Sequence, residues 1–221
     1  MSPNLLSSLI VTIVLIVVVI ILGRKVERLD PAKPFKGPIF LVVSGVGMLN
    51  DFIKEFYGEH WRKFTPLLTG ILLYLAFANT ASLVGLHTPL SNINIALSFS
   101  LLAFFIIQVS GLWVRTPKKR IKDLMSPSPL LLPVNLVSEI STPLAMGLRL
   151  FGNLLSGAVI TVLFYSLLPA AVSVLPIVVI AHPIFNIGFG LIQAFVYFML
   201  LTIFLSMAIE SQEVEQRSIT K

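Results

Sequence analysis

The sequence predicts an all-α integral membrane protein, with about five transmembrane helices, one interfacial amphipathic helix, and the last two spanning helices long and tilted. Three observations predict it. Charged residues make up 12% of the chain and hydrophobic ones 56%, with a mean hydropathy of +0.95; a soluble domain carries roughly 25% charged residues. Several apolar runs reach or exceed the ~20 residues that cross a bilayer as a helix. The basic residues gather in short segments between those runs. Residues 1–221 therefore read as a single integral membrane domain.

Residues 5–22 form the first run, expected to end at Gly23, Arg24 and Lys25. No Lys or Arg precedes it and no small-residue cleavage site follows, so it is expected to be a span and not a signal peptide. Pro31, Pro34, Gly37 and Pro38 then break regular structure and predict a surface linker. In residues 40–57, Val42, Val46, Leu49, Phe52, Ile53 and Phe56 recur at helical spacing, with Asn50, Asp51, Lys54 and Glu55 on the other side. That pattern suits a helix lying in the interface plane.

Residues 64–114 predict a helical hairpin, Phe64 to Leu86 and Ile93 to Val114, closed by a turn containing His87, Pro89, Ser91 and Asn92. Trp61 and Trp113 at its inner ends read as interfacial anchors. Arg115, Lys118, Lys119, Arg120 and Lys122 follow as the densest positive cluster, and then a Pro-rich entry through Pro127, Pro129 and Pro133. Residues 130–209 predict a second hairpin, Leu130 to Leu168 and Pro176 to Ile209, each run longer than a perpendicular span requires, so they must tilt or bend. These two runs carry Asn135, Ser138, Glu139, Arg149, Asn153, Ser156, His182, Asn186 and Gln193, a polar load unusual for helices that face lipid alone.

Five spans with the N terminus outside place the linker, the interfacial helix, the Arg115 cluster and the polar tail on the inner side. Every Lys and Arg except Arg149 then lies on that side, as the positive-inside rule demands. The net charge of +6 is read in the same way, as topology signals and contacts to membrane lipids, with no nucleic acid partner. There is no cysteine, which excludes disulfide frameworks, thiolate metal sites and cysteine nucleophiles. No phosphate-binding loop of the Walker type occurs, and no cofactor is expected.

Two formal charges remain inside apolar runs, Glu139 and Arg149, on one helix. Ten residues of helix separate them by about 15 Å, too far for a salt bridge. An arginine cannot discharge to escape a low-dielectric site, so Arg149 requires a counter-charge from a mobile ion or from another polypeptide. Beside an ion path, such a fixed cation repels cation-loaded sites and forces a nearby carboxylic acid to release its proton.

Gly147-Leu148-Arg149-Leu150-Phe151-Gly152-Asn153 resembles the motif at the centre of subunit a of F-type ATP synthases. Gln193-Ala194-Phe195 with Leu205-Ser206-Met207-Ala208 is similar to that family's last helix, Asn79 sits in a corresponding early span, and Pro89 with Asn94 resembles its PTADxN-type segment. The resemblance covers residues 64–209, most of the chain. It implies an ion-translocating stator with no nucleotide site, not an enzyme by itself, whose long hairpin lies against the c-ring of subunit c. Two offset half-channels load and unload the ring carboxylates and couple ion flow to rotation. The implied partners are the c-ring, the peripheral stalk subunit b and the rest of the F1F0 complex; the implied location is a bacterial plasma membrane, multi-pass, with the C terminus inside.

On the same resemblance, Arg149 matches the essential arginine, Asn153 the asparagine one turn away, and Gln193 the glutamine near the arginine. The chain departs from the common bacterial pattern where Asn92 replaces a frequent aspartate, Ala158 a frequent glutamate, and Asn186 a histidine or acid. His182, one turn before Asn186 and about 16 Å outward of Gln193 by helical rise, is expected to take over the outward relay with Asn186, Asn92 and water. Capping or headgroup contact is the competing role for His182. Glu139, with Ser138 and Ser141, is assigned to the inward half-channel. A stand-alone transporter that uses Arg149 to hold an anionic substrate is the competing function; it predicts inverted repeats, and the two halves show none.

Overall fold

A computed structural model of the chain describes residues 3–27, 38–58, 61–81, 88–114, 125, 128–167 and 188–210. Six helices follow in order: α1 (Pro3–Glu27), α2 (Pro38–Tyr57), α3 (Trp61–Thr80), α4 (Ile93–Val114), α5 (Leu132–Leu167) and α6 (Gly190–Glu210). Short 3-10 turns precede α4 at Pro89–Ser91 and α5 at Pro129–Leu131. No strand occurs among the described residues.

Four of these helices contain stretches long and apolar enough to cross a membrane: Asn4–Glu27, Ile93–Gly111, Leu132–Ile160 and Gly190–Ile209. Their outer surfaces are greasy. Ile13, Ile16 and Ile21 on α1, Leu101 and Phe105 on α4, and Val159 and Val162 on α5 are all exposed, the reverse of a water-soluble surface and the pattern expected where lipid is the solvent. α1 runs past Gly23, Arg24 and Lys25, where the sequence suggested a stop, because the two basic side chains in its last turn complement the negative end of the helix dipole.

α3 corresponds to the predicted span from Phe64 to Leu86, described here as far as residue 81. It is not among the four apolar stretches. It opens on Trp61, Arg62 and Lys63 and carries Pro66, Asn79 and Thr80; Arg62, Lys63 and Pro66 are exposed while Asn79 is buried. Leu68, Leu75 and Ala78 have no exposed surface, and the helix packs against α1, α2 and α6.

α2 matches the expected amphipathic segment. Ile53 and Tyr57 are buried while Asp51, Lys54 and Glu55 are exposed, and the Tyr57 hydroxyl donates to the Thr202 carbonyl of α6 at 2.9 Å. Gly58, at φ +50, ends the helix in the left-handed conformation that a side chain would strain.

The core is a seam of α6 against α3 and α4. Ala194, Tyr197, Phe198, Leu201 and Leu205 recur every three or four residues and are buried, the stripe by which a helix packs lengthwise on its neighbours. Of the candidate spans, α6 is the most enclosed, at 44% of its apolar window, and α1 the least, at 11%. The Tyr197 hydroxyl crosses to the Phe99 carbonyl of α4 at 2.7 Å, and Ser8 of α1 pairs with Tyr74 of α3, also at 2.7 Å. Each interhelical bond of this kind contributes about 0.6 kcal/mol in a membrane, so the ties set register more than they set stability.

α5 is the outlier in length. Its 36 residues span about 54 Å at 1.5 Å per residue, well beyond the ~30 Å hydrocarbon core. Such a helix must tilt or run on beyond the apolar slab.

Candidate functional site

The rotation of α5 about its axis decides which of its side chains are presented outward, and a glycine decides that rotation. A Cβ on Gly147 would lie 2.6 Å from the Ser100 Cβ and 2.8 Å from the Ala96 carbonyl oxygen of α4, so only glycine permits so close an approach. Ser100 Oγ then donates to the Pro143 carbonyl at 2.6 Å. With Pro143, Met146, Gly147 and Leu150 buried on this side, residues one-third of a turn away face outward.

Arg149 is one of them. It is exposed, between the half-exposed Leu144 and Leu148 on one side and Leu155 on the other. Among the described residues it makes no hydrogen bond or ion pair. A charge in an apolar setting costs at least ~2.5 kcal/mol, and no interaction among the described residues offsets that cost.

Asn153 lies one turn further along the same face. Its Nδ2 donates to Gln193 Oε1 at 2.5 Å, bridging α5 to α6. Gln193 is 6% exposed, and its Nε2 has no partner among the described residues. An orphaned buried amide hydrogen is costly and is the kind of group a water commonly satisfies. A cavity of about 10 Å³ adjoins it, lined by Asn79, Asn153 and Gln193 among others, about the space of one water molecule.

Asn79, 2% exposed, approaches from α3 and donates through Nδ2 to the Gly190 carbonyl at 2.8 Å. A Cβ on Gly190 would come within 2.8 Å of the Asn79 Cβ, so this contact also requires glycine. Gly188 and Phe189 form a wider π-type turn leading into α6, a local irregularity often found at functional sites. The site residues expected from the sequence do not include Asn79 and Gly190. A lone asparagine in an apolar run was the available signal for the first; for the second there was none.

The structure thus brings together Asn153 and Gln193, with Arg149 one turn from Asn153. Glu139 is half-buried on α5, ten residues before Arg149, with Ser138 and Ser141 exposed beside it. Asn92 is engaged in the backbone of its own turn. Its Oδ1 accepts the Asn94 backbone N–H at 2.9 Å, and its carbonyl takes the first bonds of α4 from Ile95 and Ala96. That is the work of a helix N-cap. His182, Asn186 and His87 lie outside the described residues, as does the Arg115 cluster. Among the described residues, no group of three or more His, Cys, Asp or Glu could hold a metal ion.

Comparison with known proteins bears on this arrangement. The family described as ATP synthase A chain matches residues 5–206. ATP synthase subunit a of Nitratidesulfovibrio vulgaris (strain DP4) is 37% identical over 177 residues, covering 78% of this chain and 72% of that protein. The same subunit of Sulfurihydrogenibium sp. is 30% identical over 76% of this chain and 80% of its own length. ATP synthase subunit a 2 of Pelobacter propionicus is 28% identical over 84% and 78%. A match across nearly the whole described bundle, from α1 to the last turns of α6, makes this chain a member of the ATP synthase A chain family.

Proposed function

We propose that the chain is the ion-translocating stator, subunit a, in the membrane F0 sector of an F-type ATP synthase. One observation carries the reading: Arg149 is held on the open face of the longest helix, with no counter-ion among the described residues. A carboxylate carried past that face by another polypeptide is the natural complement, and the c-ring of subunit c supplies one. The peripheral stalk subunit b and the rest of the F1F0 complex complete the assembly, and nucleotide chemistry resides in those other subunits.

The chemistry follows from the guanidinium. It is a fixed cation beside the path, and it divides that path into two half-channels. A ring carboxyl that arrives protonated is pushed to release its proton, because the nearby cation favours the carboxylate. The released ion leaves by the inward half-channel, where Glu139 with Ser138 and Ser141 stands. The freed carboxylate passes Arg149 as an ion pair and is reloaded from the outward half-channel, to which His182, Asn186 and Asn92 are assigned. Asn153 and Gln193, bonded to each other, add neutral dipoles near the cation. Ion flow then requires rotation of the ring.

The distribution of Lys and Arg supports a multi-pass orientation with the N terminus outside and the C terminus inside, and the bacterial relatives support a bacterial plasma membrane. The test is ATP-driven ion pumping and ATP synthesis in vesicles carrying the complex with Arg149→Ala. Loss of coupled transport in a fully assembled complex is expected; persistence of both activities would overturn the stator reading. His182→Ala addresses the outward relay separately. A fall in pumping is expected, and near-normal pumping would leave that path to water and amides alone.

A further inference from the structure

We infer that Asn79 is a positioning residue: by holding the Gly190 carbonyl it fixes the start of α6, so that Gln193, one turn on, meets Asn153 beside Arg149. The inference rests on the ion-path reading of Arg149, Asn153 and Gln193. Three observations carry it. Asn79 is 2% exposed, next to the fully buried Ala78 and one turn from the fully buried Leu75, and spends its amide hydrogen on a backbone carbonyl of another helix, 111 positions away in sequence. The contact excludes any side chain at Gly190, where a Cβ would lie 2.8 Å from the Asn79 Cβ. The carbonyl it holds directly follows the π-type turn at Gly188 and Phe189, where the backbone ladder changes from the wider π spacing to α spacing.

Gly190 and Gln193 are three residues apart and therefore share a helix face. Any slide or rotation at Gly190 is passed directly to the Gln193 side chain. The 2.5 Å bond from Asn153 Nδ2 to Gln193 Oε1 tolerates little displacement before it breaks, since hydrogen bonds weaken steeply outside a narrow range of distance and angle. Asn79, Gly190, Gln193 and Asn153 thus link α3 to α6 and α6 to α5, ending one turn from the cation. Asn79 touches neither Arg149 nor the passing ion in this account; it acts through the placement of Gln193.

The chain has no cysteine, so a pair introduced as Asn153→Cys with Gln193→Cys reports the α5–α6 distance through a short thiol-specific crosslinker in the assembled complex. A second pair, Phe99→Cys with Tyr197→Cys, reports the α4–α6 seam further along α6. Adding Asn79→Leu, which keeps the bulk and removes the donor, is expected to lower crosslinking of the first pair at least threefold and leave the second unchanged. In the cysteine-free chain, the same substitution is expected to lower ATP-driven pumping about threefold to tenfold, the loss equivalent to one interhelical hydrogen bond.

Gly190→Ala, with Asn79 intact, is expected to reproduce both effects, and it decides the matter if Asn79→Leu prevents assembly. Unchanged crosslinking of the first pair would overturn the proposal, whatever happens to pumping, and so would equal loss at both pairs. Reduced crosslinking with normal pumping would also overturn it, because Gln193 placement would then be immaterial. The crosslinking result is independent of Arg149, so a complex that pumps normally with Arg149→Ala refutes the stator reading without touching the geometric claim.

Discussion

The two faces of α5 are built on opposite terms. Toward α4 it presents Pro143, Met146, Gly147 and Leu150, buried and packed so closely that Gly147 has no room for a methyl group. On the outward side it presents Leu148, Arg149, Asn153, Leu155, Ser156 and Val159, all exposed. The inward face is complete within the chain. The outward face carries a cation and a row of leucines that nothing among the described residues covers. The difference teaches that close packing on one side of this helix fixes which residues the other side presents. A substitution on the α4 side should change stability first, and one on the outward side should change transport first.

The strongest challenge to that division is Arg149→Gln, which keeps length and hydrogen-bonding capacity but removes the charge. Pumping is expected to fall by at least about a hundredfold, since several kcal/mol of electrostatic stabilisation is removed, while the thermal midpoint of the assembled complex stays put. A drop in the midpoint comparable to that of a core substitution would show that the outward face is structural after all. Next in size is Gly147→Leu. Overpacking a tight seam costs about 1–3 kcal/mol, and here the obstacle includes the Ala96 carbonyl, which cannot rotate away. Lower yield and a lower midpoint of the complex are expected; a midpoint equal to that of the unsubstituted complex would break the account of how α5 is aimed.

A smaller effect tests the bridge between the two regions. Asn153→Leu and Gln193→Leu are each expected to slow pumping, and the double substitution to slow it by less than the product of the two. The coupling expected for one interhelical hydrogen bond is about 0.6 kcal/mol. Independent, multiplicative effects would mean that the bond at 2.5 Å between Asn153 and Gln193 plays no part in transport. Smallest of all is Val159→Ala on the outward face, where the side chain is 58% exposed. Its effect on stability is expected to stay within about 0.5 kcal/mol, as for exposed positions generally, and a larger loss would show that Val159 is covered in the assembled complex.

Much of the fold was legible because the bilayer demands local solutions. A run such as residues 5–22 must satisfy its own backbone, so apolar length alone calls for a helix. The amphipathic spacing of Val46, Leu49, Ile53 and Phe56 foretold α2 in the same way, and the length of the run from Leu130 to Leu168 foretold a helix too long to stand upright. Arg149 was legible because an unneutralisable charge in an apolar run is conspicuous without any structure. The end of α1 differs from the expected one for a local reason: Gly23, Arg24 and Lys25 look like a stop, yet basic residues in a last turn favour the helix they close. Asn92 was read as a polar turn residue, although an asparagine directly before an apolar helical run is also a local N-cap signal.

By itself, then, the sequence determined that the chain is a helical membrane protein, roughly where its helices lie, and that Arg149 is a formal charge inside an apolar run. These properties depend on composition and on periodicities of a few residues. Only the tertiary structure decided that Arg149 faces outward, that Asn153 reaches Gln193 across 40 positions, and that Asn79 reaches Gly190 across 111. The physical reason is that helix rotation is set by close contact between surfaces distant in sequence. At Gly147 and Gly190 that contact depends on the absence of a side chain, and glycine carries no hydropathy, charge or period to announce it.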